Sequence, residues 1–145
     1  MKRILFMIVT LSLLLAACTP TPAAPAGKSF TDGWGRTITL PGTPARIVSL
    51  APSNTEILFA IGAGAQVVGR DEFSDYPEEA KALPSVGGSM GDFNLETIAS
   101  LQPNLVLAAS TNTPEQVKAL EDLGITVYTL TNPADMEGLY ANITI

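Results

Sequence analysis

Four short apolar runs, Ile47-Val48-Ser49-Leu50, Gln66-Val67-Val68-Gly69, Leu105-Val106-Leu107-Ala108 and Thr126-Val127-Tyr128, recur along the chain between segments that carry helix signals. Runs this short and often β-branched suit strands buried on both faces, as in parallel sheets. Strands that alternate with helices need crossover connections, and repeated crossovers place helices on both faces of the sheet. The expected fold is therefore α/β, a small parallel sheet of about four strands with helices on both faces. A hairpin is expected ahead of it, from residues 29–31 and 36–40 around Asp32-Gly33-Trp34-Gly35.

The helix signals are local and chemical. Thr113-Pro114-Glu115-Gln116 predicts a helix with Thr113 as N-cap, proline at the first helical position and Gln116 closing a capping box. Val117, Leu120 and Leu123 then share a face, and Gly124 ends the helix. Asn94 opens a second helix that carries Leu95, Ile98 and Leu101 and stops at Pro103. Asn132-Pro133 opens a third, with Met136, Leu139, Tyr140 and Ile143 as its apolar stripe. Ser53-Asn54-Thr55-Glu56, directly after the first strand, fits a capping box with Ser53 as N-cap and Glu56 closing it. Glu56 has a second reading, as an exposed carboxylate that meets an arginine on a partner surface.

Ligands of open parallel sheets bind outside the carboxyl ends of the strands. That rule selects residues 51–55, 70–76, 110–113 and 131–132, bordered by the glycine-rich connection 87–92. Gly62-Ala63-Gly64-Ala65-Gln66-Val67 is not a dinucleotide fingerprint, because a helix precedes the glycines and a strand follows, the reverse of what pyrophosphate binding needs. Asp71, Glu72, Asp75, Glu78 and Glu79 cluster in sequence and read as a solvated acidic loop, with acid-base work or a hard cation as the alternative.

At the N-terminus, Lys2 and Arg3 precede an apolar run, residues 4–15, that is shorter than the roughly 20 residues a spanning helix needs. Leu15-Ala16-Ala17-Cys18 closes it. The segment reads as a cleaved export signal, residues 1–17, of the bacterial lipoprotein kind, which leaves Cys18 as the lipidated first residue. Two or more acyl chains hold a protein on a membrane where one does so marginally. Residues 18–28 follow as a stalk rich in proline, alanine and threonine, a semi-rigid spacer off the lipid surface.

Cleavage there removes Lys2 and Arg3 and leaves six cations against 14 carboxylates, a formal charge of −8. Such a surface repels phosphate backbones and argues against a nucleic-acid partner. The chain has no histidine and one cysteine, which excludes a Ser-His-Asp triad, a Cys-His nucleophile, the usual zinc site and any internal disulfide. A hydrophobic core must hold the fold, and a mature chain this short buries one core.

Arg46 to Glu56, then Phe73-Ser74-Asp75-Tyr76-Pro77, then Asn94-Leu95-Glu96 and residues 101–106, stand in an order and spacing that resembles the N-terminal lobe of ABC-importer solute-binding lipoproteins for cobalamin, ferric chelates or haem. The resemblance spans residues 29–145. It implies a bilobal protein with its ligand in the cleft between lobes joined by a long helix, and a carboxylate on each lobe that meets arginines of the permease. Glu56 matches the first of these carboxylates. Phe73 matches an aromatic on the ligand face of cobalamin binders. Pro52, Ser53, Ser74, Asp75, Tyr76, Met90 and Asn112 complete the expected ligand edge of this lobe. The chain stops at Ile145, inside the expected connecting helix, so the second lobe is expected to be missing.

The implied role is capture of a metal chelate, cobalamin first, with haem or a ferric siderophore as the alternative, and delivery to the permease. No resident cofactor or metal is expected, since any cobalt or iron travels with the ligand, and no bond is made or broken. Tyr76 and Met90 are side chains that could ligate a metal centre, although both types more often pack. A rival of another class is a membrane-tethered protein-interaction module.

Overall fold

The computed structural model describes residues 27–88 and 93–144. A four-stranded sheet is built from β3 (Ile47–Ser49), β4 (Val67–Arg70), β5 (Leu105–Ala109) and β6 (Val127–Leu130), in the spatial order β4-β3-β5-β6. Every neighbouring pair is parallel, as expected. Helices α1 (Pro52–Ala60), α2 (Leu95–Ser100) and α3 (Pro114–Asp122) make the crossovers, and α4 (Met136–Thr144) follows β6. The antiparallel hairpin of β1 (Lys28–Thr31) and β2 (Thr37–Leu40) pairs Lys28 with Leu40 and Thr31 with Thr37.

Side-chain alternation along the strands divides the core in two. Val48, Val106, Ala108 and Val127 face α2 and α3, where Ile98, Val117 and Leu120 close over them. Ile47 and Val67 point the other way, against Leu58 of α1. Leu105 and Tyr128 also point that way, but the hairpin rather than a helix covers them, through Leu40, Phe30 and Ile38. The second face is thus shared by α1 over β3 and β4 and by the hairpin over β5 and β6.

The hairpin turn also closes the edge strand. Gly33 donates its N–H to the Thr129 carbonyl at 2.7 Å, and a Cβ at Gly33 would lie 2.6 Å from the Thr131 side chain. Unpaired strand edges invite pairing with other chains, so this contact protects β6.

The local signals hold in three places. Thr113 caps α3 with the reciprocal bonds of a capping box, and Gly124 follows with φ +77°. Asn94 caps α2 by accepting the Thr97 N–H at 2.9 Å. Gly62, at φ +83°, turns the chain after α1. Leu123, expected on the buried face of α3, falls beyond its last turn and is exposed.

Two helix starts differ from expectation. The N-cap of α1 is Ala51, in extended conformation with φ −156° and ψ 147°, and no side chain caps the helix. Pro52 takes the first helical position, where its fixed φ fits and its missing N–H costs nothing. That puts Ser53 inside the helix and removes the Ser53–Glu56 capping box. The start of α4 is set by Asp135, not Asn132: Asp135 Oδ1 accepts the Gly138 N–H at 2.8 Å and its carbonyl accepts the Leu139 N–H at 3.1 Å. Of the expected stripe on α4, Leu139 and Ile143 are half-buried while Met136 and Tyr140 are exposed.

Candidate functional site

The chain leaves β3 through α1 to its neighbour β4, then crosses back over β3 to β5. Connections from β3 and β5 therefore depart to opposite faces, and their carboxyl ends flank the crevice where such sheets bind ligands. Residues 50–55 and 110–113 border it, and the loop after β4 stands beside them.

That loop is fixed by a buried chain of polar groups. Thr55 Oγ1, on α1, lies 2.8 Å from the Ser49 hydroxyl at the end of β3 and 2.8 Å from the Ser74 hydroxyl. Ser74 donates onward to Asp71 Oδ2, and Asp71 Oδ1 accepts the Phe73 N–H at 2.8 Å. Asp71 N–H returns to the Ser49 carbonyl at 2.9 Å. All four side chains are at most 1 % exposed, so each bond replaces one that water would otherwise provide.

The chain holds an aromatic edge open. Phe73 is 53 % exposed and Tyr76 66 %, two aromatic side chains three residues apart on one loop. Arg70 braces the loop from below, donating to the carbonyls of Ala80 at 3.0 Å and Asp71 at 2.8 Å. The neighbouring connection reaches the same edge, since Glu72 N–H donates to the Gly87 carbonyl at 2.8 Å. Gly87 has φ +99°, which favours glycine, while a Cβ at Gly88 would meet the movable tip of the exposed Glu72 side chain.

The expected ligand residues divide accordingly. Pro52, Ser53, Phe73, Asp75 and Tyr76 stand at or near the surface of this edge. Ser74 does not: its hydroxyl is spent inside the buried chain, and it supports Phe73 from beneath. Asn112 is also enclosed, 3 % exposed, with Oδ1 accepting the Ala109 N–H at 2.7 Å to close the turn after β5. Its Nδ2 has no partner among the described residues. Met90 and Cys18 lie outside the described residues.

Glu56 is exposed on α1, one residue after Thr55, and borders a shallow hollow with Phe59, Tyr76 and Glu79. Loss of the expected capping box leaves its carboxylate without a helix-capping role. The acidic stretch is not one cluster: Asp71 is turned inward, and Glu78 pairs with Lys81 at 2.7 Å. Among the described residues no three acidic, histidine or cysteine side chains gather as a metal site. A separate apolar groove of about 340 Å³ lies on the hairpin face, lined by Phe30, Ile57, Leu58, Tyr128 and Ile143. The sequence reading missed Ser49 and Thr55; the available signal was a pair of small hydroxyl residues in otherwise apolar buried positions.

Known proteins resemble the chain in sequence and fold. The periplasmic binding protein family matches residues 47–145. The uncharacterised ABC transporter substrate-binding lipoprotein YvrC of Bacillus subtilis is 38 % identical over 115 residues, 77 % of this chain and 36 % of that protein. The vitamin B12-binding protein of Vibrio campbellii is 42 % identical over 103 residues, 70 % of this chain and 37 % of that protein. The crystal structure of a periplasmic haem-binding protein from Pseudomonas aeruginosa superposes with a TM-score of 0.64 at 34 % identity, covering 68 % of this chain and 36 % of that one. The chain thus spans little more than a third of the length of each. Parallel sheet, strand order and family match agree: the chain belongs to the periplasmic binding protein family.

Proposed function

We propose that the chain is the N-terminal lobe of the substrate-binding component of an ABC importer, that it captures cobalamin, and that Glu56 docks it to the permease. It makes and breaks no bonds, and any metal belongs to the cargo. The observation that carries the reading is the aromatic edge of Phe73 and Tyr76, held open by buried hydrogen bonds at the carboxyl ends of the strands.

Charge favours cobalamin over the alternatives. Arg36 is bound to Asp32 and Glu121, Lys118 to Asp122, and Lys81 to Glu78. Arg46 donates to the Leu101 and Gln102 carbonyls, and Arg70 to carbonyls below its loop. Lys28 begins the hairpin. No cation among the described residues therefore stands free at the ligand edge, while Glu72 and Asp75 are exposed there. Haem propionates and anionic ferric chelates would meet repulsion from this lobe; a cobalamin, neutral or cationic and edged with carboxamides, would not. The haem reading keeps one supporting feature, the exposed phenol of Tyr76.

Export and lipidation at Cys18 complete the proposal, supported by the Leu15-Ala16-Ala17-Cys18 sequence and by the lipoprotein among the relatives. Absorbance titration with hydroxocobalamin and with haemin tests the ligand. Saturable binding of hydroxocobalamin, tighter than haemin, is expected; tighter haemin binding, or binding of neither, overturns the assignment. An intact mass with acyl groups on Cys18 is expected for protein released from its membrane, and an unmodified cysteine would overturn the anchor.

A further inference from the structure

We propose that the Thr55 hydroxyl is the positioning joint that ties the ligand-facing loop to the helix bearing Glu56. The inference rests on the reading of Phe73 as a ligand-facing side chain, and assigns to Thr55 a role that acts through its neighbours.

Among the described residues, Thr55 is the one residue of α1 whose side chain hydrogen-bonds both the end of β3 and the loop after β4. Its oxygen is also 3.3 Å from the Ala51 carbonyl, which alone would satisfy a buried threonine in the first turns of a helix. Of the two further contacts at 2.8 Å, one ties the helix to the end of β3 and the other ties it to the loop. Ser74 donates to Asp71 Oδ2, and its oxygen lies 2.8 Å from Thr55 Oγ1, which is also 2.8 Å from the Ser49 hydroxyl and has one proton to share between the two contacts. The contacts run without a break from α1 through Ser74 to Asp71, whose Oδ1 accepts the Phe73 N–H. Hydrogen bonds in such chains polarise one another in a dry interior, and a missing member leaves its neighbours unsatisfied.

The remaining contacts of the loop do not substitute for this link. The Asp71 N–H bond to Ser49, the Glu72 N–H bond to Gly87 and the Arg70 bond to the Asp71 carbonyl hold residues before Phe73, and the Arg70 bond to the Ala80 carbonyl holds the chain well after it. Phe73 and Tyr76 themselves are too exposed to be held by packing. The direction in which the aromatic edge faces is thus set from α1, and Glu56 is the next residue on that helix.

Thr55→Val keeps the shape and removes the hydroxyl; Thr55→Ser keeps the hydroxyl. Amide hydrogen exchange on the full chain reads the outcome at Phe73, with Val106 in the central strand β5 as the reference. Thr55→Val is expected to speed Phe73 exchange by about tenfold relative to Val106, and Thr55→Ser to stay within about threefold of the parent. Hydroxocobalamin affinity should fall in parallel in Thr55→Val and be retained in Thr55→Ser. Unchanged Phe73 exchange in Thr55→Val, equal behaviour of the two variants, or a rise at Val106 in step with Phe73 would each overturn the joint. Should Thr55→Val fail to fold, Ser74→Ala cuts the same link from the loop side and is read in the same way. Lack of hydroxocobalamin binding by the parent chain would refute the ligand reading, while the exchange result still decides the role of Thr55.

Discussion

Arg36 closes on Asp32 across the hairpin turn, with Nε at 2.8 Å and Nη2 at 2.6 Å from the same carboxylate oxygen. The other oxygen accepts the backbone N–H groups of Trp34 at 3.0 Å and Arg36 at 2.8 Å. Arg36 also reaches Glu121 of α3 at 2.8 Å and lies 5.0 Å over the Trp34 ring, so one guanidinium joins the hairpin to the helix layer. The Asp32 side chain is fully buried while Arg36 stays partly exposed, which makes the pair directional and costly to break from the acid side.

The pH dependence follows from this contact. Burial pushes the Asp32 carboxyl up, but the hydrogen bonds and charge of Arg36, with the two backbone donors, outweigh it and hold the group below its ordinary value of 3.8. A carboxyl depressed on folding stabilises above its unfolded pKa and loses that contribution as pH falls through the folded value. Asp32→Asn should cost about 2 kcal/mol at neutral pH and flatten the acid limb of stability below about pH 4. Urea unfolding of parent and variant between pH 2 and 7 tests it, and parallel acid limbs would refute the assignment. Tyr128 adds an alkaline counterpart. Burial and the nearby Asp32 charge raise its phenol above 10.0, so its contribution is present below that pH and lost above it.

Helix capping separates two threonine and serine positions that look alike in sequence. Thr113 accepts the Gln116 N–H at 3.3 Å and Gln116 returns the bond to the Thr113 N–H at 2.8 Å, whereas Ser53 caps nothing. Thr113→Ala should cost about 1 kcal/mol, and Ser53→Ala should stay within about 0.5 kcal/mol of the parent. Equal losses in a denaturant series would show that Ser53 caps α1 after all.

The same contrast shows what was legible. Strand positions and the parallel sheet were readable because β-branched runs of this length have few other uses, and Thr113, Asn94 and Gly124 carry their meaning within four residues. The start of α1 was not, because Pro52 and Ser53 both offer a plausible first turn and only the backbone of Ala51 decides between them. The exposed aromatics of the candidate site, Phe73 and Tyr76, were picked out by the carboxyl-edge rule and the family resemblance. The supports beneath them did not, since Ser49, Thr55 and Asp71 come from three elements and meet only in the folded chain.

Phe73 and Tyr76 should matter to binding and not to folding. Each leaves more than half its surface in solvent, so truncation removes little burial. Phe73→Ala should weaken hydroxocobalamin binding by about tenfold, as loss of an exposed aromatic anchor does, with a melting temperature within a few degrees of the parent. Unchanged affinity with a lowered melting temperature would make Phe73 a packing residue.

The proposed docking role of Glu56 can be tested apart from ligand binding. Its carboxylate is exposed, it borders a hollow that also contains Glu79 and Tyr76, and it takes no part in the start of α1. Exposed charges at a docking surface set register and encounter rate more than fold stability. Glu56→Lys reverses the charge and should therefore leave stability within about 0.5 kcal/mol and hydroxocobalamin affinity unchanged. The same variant should lose salt-sensitive association with permease in proteoliposomes by tenfold or more, because an arginine on the facing surface would then meet a like charge. Pull-down across a salt series measures this directly. Retained association at low salt would move the docking role from Glu56 to another part of the surface, with Glu79 the first carboxylate to test.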